Sequence, residues 1–238
     1  MERLDWLAVV RHGLSTGNVT AQEAEAGGAE MIEIPERDAD VPLSDTGREQ
    51  AEAVGRFLRE QRPDIAVVSP YLRTRQTAEI ALAGSDVPVV VDERLRDREL
   101  GVLDLLTARG VEARLPDEAR RRARLGKFYY RPPGGESWAD VLLRLRALLR
   151  EVREDHPGGR VVLFAHEATV LMVRYLTEGL LEQELMELAH RTAVANCSVS
   201  SWRLDGDRLV PELFNAVEHL EREDAEPTRQ EDVNAEPV

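Results

Sequence analysis

Short apolar runs separated by amphipathic stretches dominate the hydrophobic pattern of this chain. Each run ends at glycine, proline or polar positions, which is typical of buried β-strands. The predicted strands cover residues 6–11, 65–68, 87–91 and 161–165. Two later runs, 199–204 and 208–213, flank Asp205-Gly206-Asp207 and predict a β-hairpin.

Apolar residues recur at helical spacing between the strands. Residues 44–62 predict a helix with Ser44 at its N-cap, and residues 137–154 and 168–177 predict two more. Pro70 is placed where a first helical position is expected, so a helix should begin there. Residues 20–40, rich in Ala, Gly and Glu, predict a long loop with a helical turn. The alternation of strands and helices predicts an α/β fold with a largely parallel sheet.

The chain is long and apolar enough for a sizeable core, with 238 residues of which 42% are hydrophobic. We expect one domain over residues 1–215 and a tail over 216–238. The single cysteine, Cys197, excludes a disulfide within the chain and a zinc ribbon. The first residues lack a leader pattern and no apolar run approaches the length of a membrane span, so we expect a cytoplasmic protein that does not bind a membrane.

The charge of the chain is strongly negative, with a formal net charge of −14. This acidic balance argues against a nucleic-acid partner. The tail 216–238 is acidic and poor in large apolar residues, which predicts disorder. Segment 120–127 is a basic exception. We interpret it as a solvated helix face, with a basic lid over a polyanionic substrate as the alternative.

Candidate chemistry follows the ends of three predicted strands. Arg11 and His12 follow the first strand, with Asn18 nearby, Arg73 comes shortly after the second, and His166 follows a later one. Ligands bind at the carboxyl ends of strands in open α/β sheets, so we expect these side chains to meet. A guanidinium can hold phosphate oxygens and an imidazole can attack phosphorus. A plain polar loop is the alternative for the first group.

Four motifs in order resemble the histidine phosphatase superfamily, the phosphoglycerate mutase-like proteins. They are Arg11-His12-Gly13-x-Ser15-x-x-Asn18, Leu43-Ser44-Asp45-Thr46-Gly47 with Gln50-Ala51, Ser69-Pro70-Tyr71-Leu72-Arg73-Thr74, and His166. The resemblance spans residues 4–214 and implies a three-layer α/β/α domain. Phe128 to Ser137 is similar, more weakly, to the fructose-2,6-bisphosphatase branch.

The resemblance implies phosphoryl transfer through a phosphohistidine at His12. Arg11, Arg73 and His166 would hold the phosphate oxygens, and Asn18, with Ser15 of the same motif, would bind substrate. No metal and no other cofactor are expected. The expected reaction is hydrolysis of a small phosphorylated metabolite, and a homodimer is a candidate assembly.

A carboxyl group must supply a proton to the leaving oxygen. Counting back from Gly101 by the family's spacing places Asp97 at this position, where most relatives have Glu. Glu99 is the alternative proton donor. If Glu99 is not the donor, we expect it to contact the substrate. Glu167 stands where many relatives have Gly, and it either caps the next helix or binds a substrate hydroxyl.

Other functions fit parts of the sequence. Gly13-Leu14-Ser15-Thr16-Gly17 matches the nucleophile elbow of serine hydrolases, but that elbow normally follows several strands rather than the first. A mutase would use the same site and return the phosphate to substrate, and an insert over residues 104–131 could close over the site as a lid. A non-catalytic phosphate-binding protein is the third alternative.

Overall fold

A six-stranded sheet forms the centre of the computed structural model, which describes residues 3–229. The strands are β1 (Trp6–Arg11), β2 (Ile65–Val68), β3 (Val89–Val91), β4 (Arg160–Ala165), β5 (Val199–Asp205) and β6 (Arg208–Ala216). Their order is β3-β2-β4-β1-β5-β6. The first four positions in this order are parallel, and β5 and β6 add an antiparallel hairpin. The predicted α/β class with a largely parallel sheet is confirmed.

Helices cover both faces of the sheet. Within the described residues they are α1 (Thr16–Ala26), α2 (Asp45–Gln61), α3 (Leu72–Ala81), α4 (Ala108–Arg114), α5 (Pro116–Tyr129), α6 (Trp138–Asp155), α7 (Glu167–Glu178), α8 (Glu182–Arg191) and α9 (Glu218–Glu221). The core on one face is built with α6, α7 and α8, and the core on the other with α2, α3 and α9. This is the three-layer α/β/α arrangement.

Alternation along β1 divides its side chains between the two cores. Leu7 and Val9 pack into the core formed with α6 and α7, whereas Trp6, Ala8 and Val10 pack into the other. All five are fully buried. A strand that is buried on both faces has a continuous run of apolar residues, so β1 could be located from the sequence. Each fully buried large apolar side chain of this kind contributes about 1.5–3 kcal/mol.

Two local predictions are wrong. Residues 20–26, predicted as part of a long loop with a helical turn, belong to helix α1 (Thr16–Ala26). The helix buries none of its residues, so no apolar periodicity signals it, and its start is a capping box between Ser15 and Asn18. Helix α3 begins at Leu72, not at Pro70, with Tyr71 as the N-cap.

The tail is ordered further than predicted. Ala216 ends β6, α9 follows, and Leu220 and Ala225 are buried. Predicted disorder over residues 216–238 is therefore wrong as far as residue 229. The Glu226 carbonyl accepts a hydrogen bond from the buried Gln50, and Thr228 is hydrogen-bonded to Gln50 and to the buried Asn196, as described below. Residues 230–238 lie outside the described part of the chain.

The open edge of the sheet is β3, whose three valines are about half exposed. In the described residues no helix is both long enough and apolar enough to span a bilayer. A homodimer and a cytoplasmic location stay predictions.

Candidate active site

Three neighbouring parallel strands end side by side at one edge of the sheet. His12 follows β1, Ser69 follows β2, and His166 follows β4, which lies between the other two strands. The ring centroids of His12 and His166 are 5.3 Å apart, and both side chains are buried. The sheet therefore brings together the two histidines that the sequence placed at strand ends.

One hydrogen bond assigns the tautomer of His12. Its Nδ1 lies 2.8 Å from the carbonyl oxygen of Gly13, which can only accept, so Nδ1 carries the proton and Nε2 carries the lone pair. Burial lowers the pKa of His12 well below its usual value, and the guanidinium of Arg73, the neighbouring His166 ring and the guanidinium of Arg11 lower it further. The imidazole is therefore neutral near pH 7, which is the nucleophilic form.

Close backbone contact holds the turn after His12. A Cβ on Gly47 would lie 2.1 Å from the Leu14 carbonyl oxygen, and a Cβ on Gly13 would lie 2.4 Å from the Gly47 carbonyl oxygen. Only glycine at both positions lets the first turn of α2 approach this closely. The Leu14 N–H donates to Oε1 of the buried Gln50 at 2.9 Å. These contacts give a physical reason for Gly47 and Gln50 in the second motif.

Arg73 is held by two carboxylates. Its Nη1 donates to the Asp38 side chain at 2.8 Å and to the Asp38 carbonyl at 2.6 Å, and its Nη2 donates to Asp97 Oδ2 at 3.1 Å. Burial alone would lower the pKa of Arg73, but Asp38 and Asp97 outweigh it and raise that pKa. A charged guanidinium is thus fixed at the cavity wall before any ligand binds.

In His166 a hydrogen bond is donated to the ring, whereas in His12 the ring donates one. Its Nε2 lies 2.9 Å from Ser69 Oγ, which also accepts from the Tyr71 N–H, so we assign the hydroxyl proton to the Ser69–His166 bond. Nδ1 of His166 then carries the proton. That atom lies 3.2 Å from Asp97 Oδ2 and has no hydrogen-bond partner among residues 3–229. Burial lowers the pKa of His166, although Asp97 opposes this.

Glu167 positions Arg11. Arg11 Nη1 donates to the carbonyl oxygen of Val194, and Nη2 lies 3.5 Å from Glu167 Oε2. Glu167 Oε1 in turn accepts from the Val194 N–H at 3.2 Å. Glu167 is the first residue of α7 and also lines the cavity, so a substrate contact stays a prediction.

Ser15 and Asn18 form the start of α1 and line the same cavity. Asn18 Oδ1 accepts from the Ser15 N–H at 3.1 Å and from Ser15 Oγ at 2.9 Å. The oxygen of the amide is therefore occupied by the capping box. Its Nδ2 is the end left to donate to a ligand.

Asp97 and Glu99 have different surroundings. Asp97 lines the cavity, and its Oδ1 accepts from the Arg98 N–H at 2.8 Å. Burial raises the pKa of Asp97, but the His166 ring and Arg73 outweigh this and hold it well below its usual range. Glu99 is exposed, its Oε1 accepts from the Gly101 N–H at 3.2 Å, and it does not line the cavity. The structure thus places Asp97, and not Glu99, beside the two histidines.

A cavity of about 650 Å³ opens over these side chains. One face of α1 lines it, at Asn18, Ala21, Gln22, Glu25 and Ala26. Glu25 lies seven residues beyond Asn18, or about 10 Å along the helix. The further lining residues include apolar side chains (Ile32, Ile34, Val41, Leu105, Leu106), carboxylates (Glu36, Asp38, Asp104) and the arginines Arg98 and Arg229. The lining therefore combines apolar surface with charges of both signs.

The insert contacts the cavity only at its beginning. Residues 104–106 line it, and Thr107 Oγ1 and the Ala108 N–H then donate to the Ala29 carbonyl (2.6 Å) and to Glu25 Oε1 (3.0 Å). The basic segment 120–127 lies in α5, and none of its residues lines the cavity. The alternative of a basic lid facing the substrate is wrong for this structure.

Several supporting contacts had no sequence signal. Asn196 Nδ2 donates to the His12 carbonyl at 3.1 Å, and Asn196 Oδ1 accepts from Thr228 Oγ1 at 3.0 Å. Gln50 Nε2 donates to Thr228 Oγ1 at 2.9 Å and to the Glu226 carbonyl at 2.7 Å. These partners are far apart in sequence, so no local pattern could pair them.

Across residues 3–229, no three His, Cys, Asp or Glu side chains are grouped in a way that could hold a metal ion. The site instead concentrates cationic and N–H donors around one imidazole. Such an arrangement can bind an oxyanion and present a neutral nitrogen to it.

Comparison with known proteins agrees with this geometry. The family model of the histidine phosphatase superfamily (branch 1) matches residues 7–217. A probable phosphoglycerate mutase of Yersinia enterocolitica is 30% identical over 198 residues, covering 81% of each chain. A mycobacterial glucosyl-3-phosphoglycerate phosphatase, solved with VO3, is 28% identical with a TM-score of 0.73, covering 90% of this chain and 100% of the other. An α-ribazole-5′-phosphate phosphatase from Escherichia coli shares the fold, with a TM-score of 0.73 at 17% identity over 90% of this chain and 97% of the other.

Proposed function

Because the chain belongs to the histidine phosphatase superfamily (branch 1), we propose that it hydrolyses small phosphomonoesters without a metal, through a phosphohistidine at His12. The observation that carries the proposal is the state of His12. Its Nδ1 proton is bound by the Gly13 carbonyl, and its pKa is lowered by burial and by the cationic side chains around it. A neutral nucleophile in a cationic pocket is what attack on a phosphate dianion requires.

In the first step His12 Nε2 attacks phosphorus, and the bond from phosphorus to the ester oxygen breaks. Arg11, Arg73, Asn18 Nδ2 and His166 Nδ1–H bind the phosphate oxygens. Charge on those oxygens is present throughout the transfer, so fixed donors stabilise the transition state without reorganising. The phosphohistidine and the alcohol are formed together.

Asp97 supplies the proton that the departing alkoxide needs. In the free enzyme Asp97 is ionised, because the His166 ring and Arg73 hold its pKa low. A bound phosphate dianion competes for the Arg73 guanidinium and the His166 N–H and places negative charge beside the carboxylate. Both effects raise the pKa of Asp97, so the substrate itself favours the protonated acid.

In the second step water attacks phosphorus and the bond to His12 breaks. Asp97, now a carboxylate, accepts the proton of that water. Inorganic phosphate leaves and His12 returns to its neutral form. Ser69 and Glu167 act as positioning residues, through His166 and Arg11 respectively.

The cavity favours a substrate of metabolite size. Its volume of about 650 Å³ accommodates a phosphate ester together with a sugar-sized group. The glucosyl-3-phosphoglycerate phosphatase at 28% identity supports hydrolysis. A mutase is the second candidate, because the Yersinia relative carries that name.

The test measures phosphate release in the presence of a chelator, comparing the chain with its His12→Ala variant. The panel holds sugar phosphates, phosphoglycerates, fructose 2,6-bisphosphate and an aryl phosphate. We expect release from at least one ester by the parent chain and none above background by the variant. Trapping of a ³²P-labelled, acid-labile phosphoprotein should likewise require His12.

Release that survives in His12→Ala, or that disappears with the chelator, would contradict the proposal. Isomerisation of a phosphoglycerate without phosphate release would favour the mutase.

A further inference from the structure

The last described residues of the chain are bound to the buried underside of the site. The Asn196 N–H donates to the Thr228 carbonyl at 2.9 Å, and Thr228 Oγ1 donates to Asn196 Oδ1. Gln50 Nε2 donates to both Glu226 and Thr228. Gln50 and Asn196 are fully buried. The segment binds Gln50 Nε2 and Asn196 Oδ1, two buried polar groups, so it is part of the folded domain.

This segment is connected to His12 through a single side chain, that of Asn196. Asn196 Nδ2 donates to the His12 carbonyl, and Gln50 Oε1 accepts from the N–H of Leu14 in the same turn. Thr228 therefore sits two hydrogen bonds from His12. The next residue, Arg229, lines the cavity that His12 lines.

Arg229 differs from the other arginines of the cavity. Arg11 is bound by Val194 and Glu167, Arg73 by Asp38 and Asp97, and Arg98 by the Glu136 carbonyl. The Arg229 guanidinium makes no hydrogen bond or ion pair with the described residues. Among the arginines of residues 3–229 that line the cavity, Arg229 is the one whose guanidinium is not bound to a carboxylate or carbonyl of that part of the chain.

We propose that Arg229 is a substrate-binding residue, which the anchored segment Glu226–Arg229 holds at the cavity to bind an anionic group of the ligand. A guanidinium binds phosphate or carboxylate through two parallel hydrogen bonds. The group is either the transferred phosphate or an acidic substituent on the leaving alcohol. The inference rests on the proposed function for its kinetic test, but not for its binding test.

The experiment compares Arg229→Ala with Arg222→Ala in the full chain. Arg222 is an exposed arginine at the C-terminal end of α9, outside the anchored segment, and it does not line the cavity, so the control loses the same charge. The ligands are inorganic phosphate, measured by calorimetry, and two esters measured kinetically. 4-Nitrophenyl phosphate carries no second acid, and 3-phosphoglycerate carries a carboxylate.

We expect Arg229→Ala to weaken binding or raise KM about 10-fold or more for at least one ligand, with kcat largely kept, while Arg222→Ala matches the parent chain. Loss for phosphate and both esters assigns Arg229 to the transferred phosphate. Loss confined to 3-phosphoglycerate assigns it to the second acidic group. Equal behaviour of the two variants with every ligand overturns the proposal.

Thr228→Val tests the anchor separately. It removes the hydroxyl that joins Gln50 to Asn196, and it should weaken the same ligands as Arg229→Ala. An unfolding curve establishes that the variant is folded at the assay temperature. If no ester is hydrolysed even by the parent chain, the proposed function fails, and calorimetry with inorganic phosphate still decides the role of Arg229.

Discussion

Two imidazoles 5.3 Å apart are given different tasks by one hydrogen bond each. The Gly13 carbonyl takes the Nδ1 proton of His12, and so leaves a lone pair on Nε2. The Ser69 hydroxyl donates to Nε2 of His166, and so leaves an N–H on Nδ1. One ring thus presents a lone pair and the other an N–H. Neither assignment could be read from the identity of the residues alone.

The neutral state of His12 should be visible by NMR. Burial and nearby positive charge lower the pKa of His12, so its ring should stay neutral as the pH falls through 6.5, where a free imidazole is half protonated. A ¹⁵N–¹H correlation spectrum of the ligand-free protein at pH 6 should show the Nδ1–H tautomer, assigned by its absence in His12→Ala. A protonated ring at pH 6 would contradict the prediction.

The dependence of the rate on the leaving group should show whether Asp97 or Glu99 donates the proton. Asp97→Asn removes the proton donor, so we expect kcat for an alkyl phosphate to fall about 10²–10⁴-fold. An aryl phosphate, whose phenolate leaves without a proton, should lose much less. Glu99→Gln is the matched control, because Glu99 is exposed and outside the cavity. The prediction fails if Glu99→Gln is the variant that selectively loses the alkyl ester.

Helix starts, more than helix interiors, build the site. α1 begins with the Ser15–Asn18 box, the first turn of α2 presses on Leu14, α3 carries Arg73 near its start, and α7 begins with Glu167. The positive end of a helix dipole favours an anion. The first turns of α1, α3 and α7 each contribute residues to the cavity, so an anion bound there would lie near these helix starts.

A larger residue at Gly47 should separate α2 from the His12 turn. Its Cβ would lie 2.1 Å from the Leu14 carbonyl oxygen, so Gly47→Ala must displace backbone. We expect the free energy of unfolding to fall by about 1–3 kcal/mol. We also expect kcat/KM to fall by more than it does in a variant that is destabilised by the same amount elsewhere in the chain. Urea unfolding and kinetics measure both. Glu49→Ala, exposed on the same helix, should leave both unchanged.

Buried neutral histidines should make the whole molecule sensitive to acid. Burial lowers the pKa of His12, His166 and His219 in the folded state. Below about pH 6.5 the unfolded chain therefore binds more protons than the folded one, and stability falls as the pH falls. Urea unfolding at pH 7.5 and 5.5 should give a lower free energy at the acid pH. His219→Gln should reduce this difference, and an unchanged difference would contradict the assignment.

The sequence predicted what local patterns encode. Strands β1, β2 and β4 are continuous apolar runs, and α6 has strong periodicity, so each was located within a residue or two. The motifs placed His12, Arg73 and His166 at neighbouring strand ends. Helix α1, which buries no side chain, and the anchoring of Thr228 were not predictable, because the first lacks an apolar face and the second depends on contacts with Gln50 and Asn196.

The position of β1 in the sheet sets the timing of assembly during synthesis. β1 is made first, but it pairs with β4 and β5, whose residues begin at 160 and 199. At roughly 5–20 residues per second, about eight to thirty seconds pass before β4 follows β1 out of the ribosome. Throughout that interval the nascent chain carries His12 without His166, which directly follows β4. A growing chain therefore cannot form the complete site, and the hydrogen bonds under His12 close only when Thr228 has also been added.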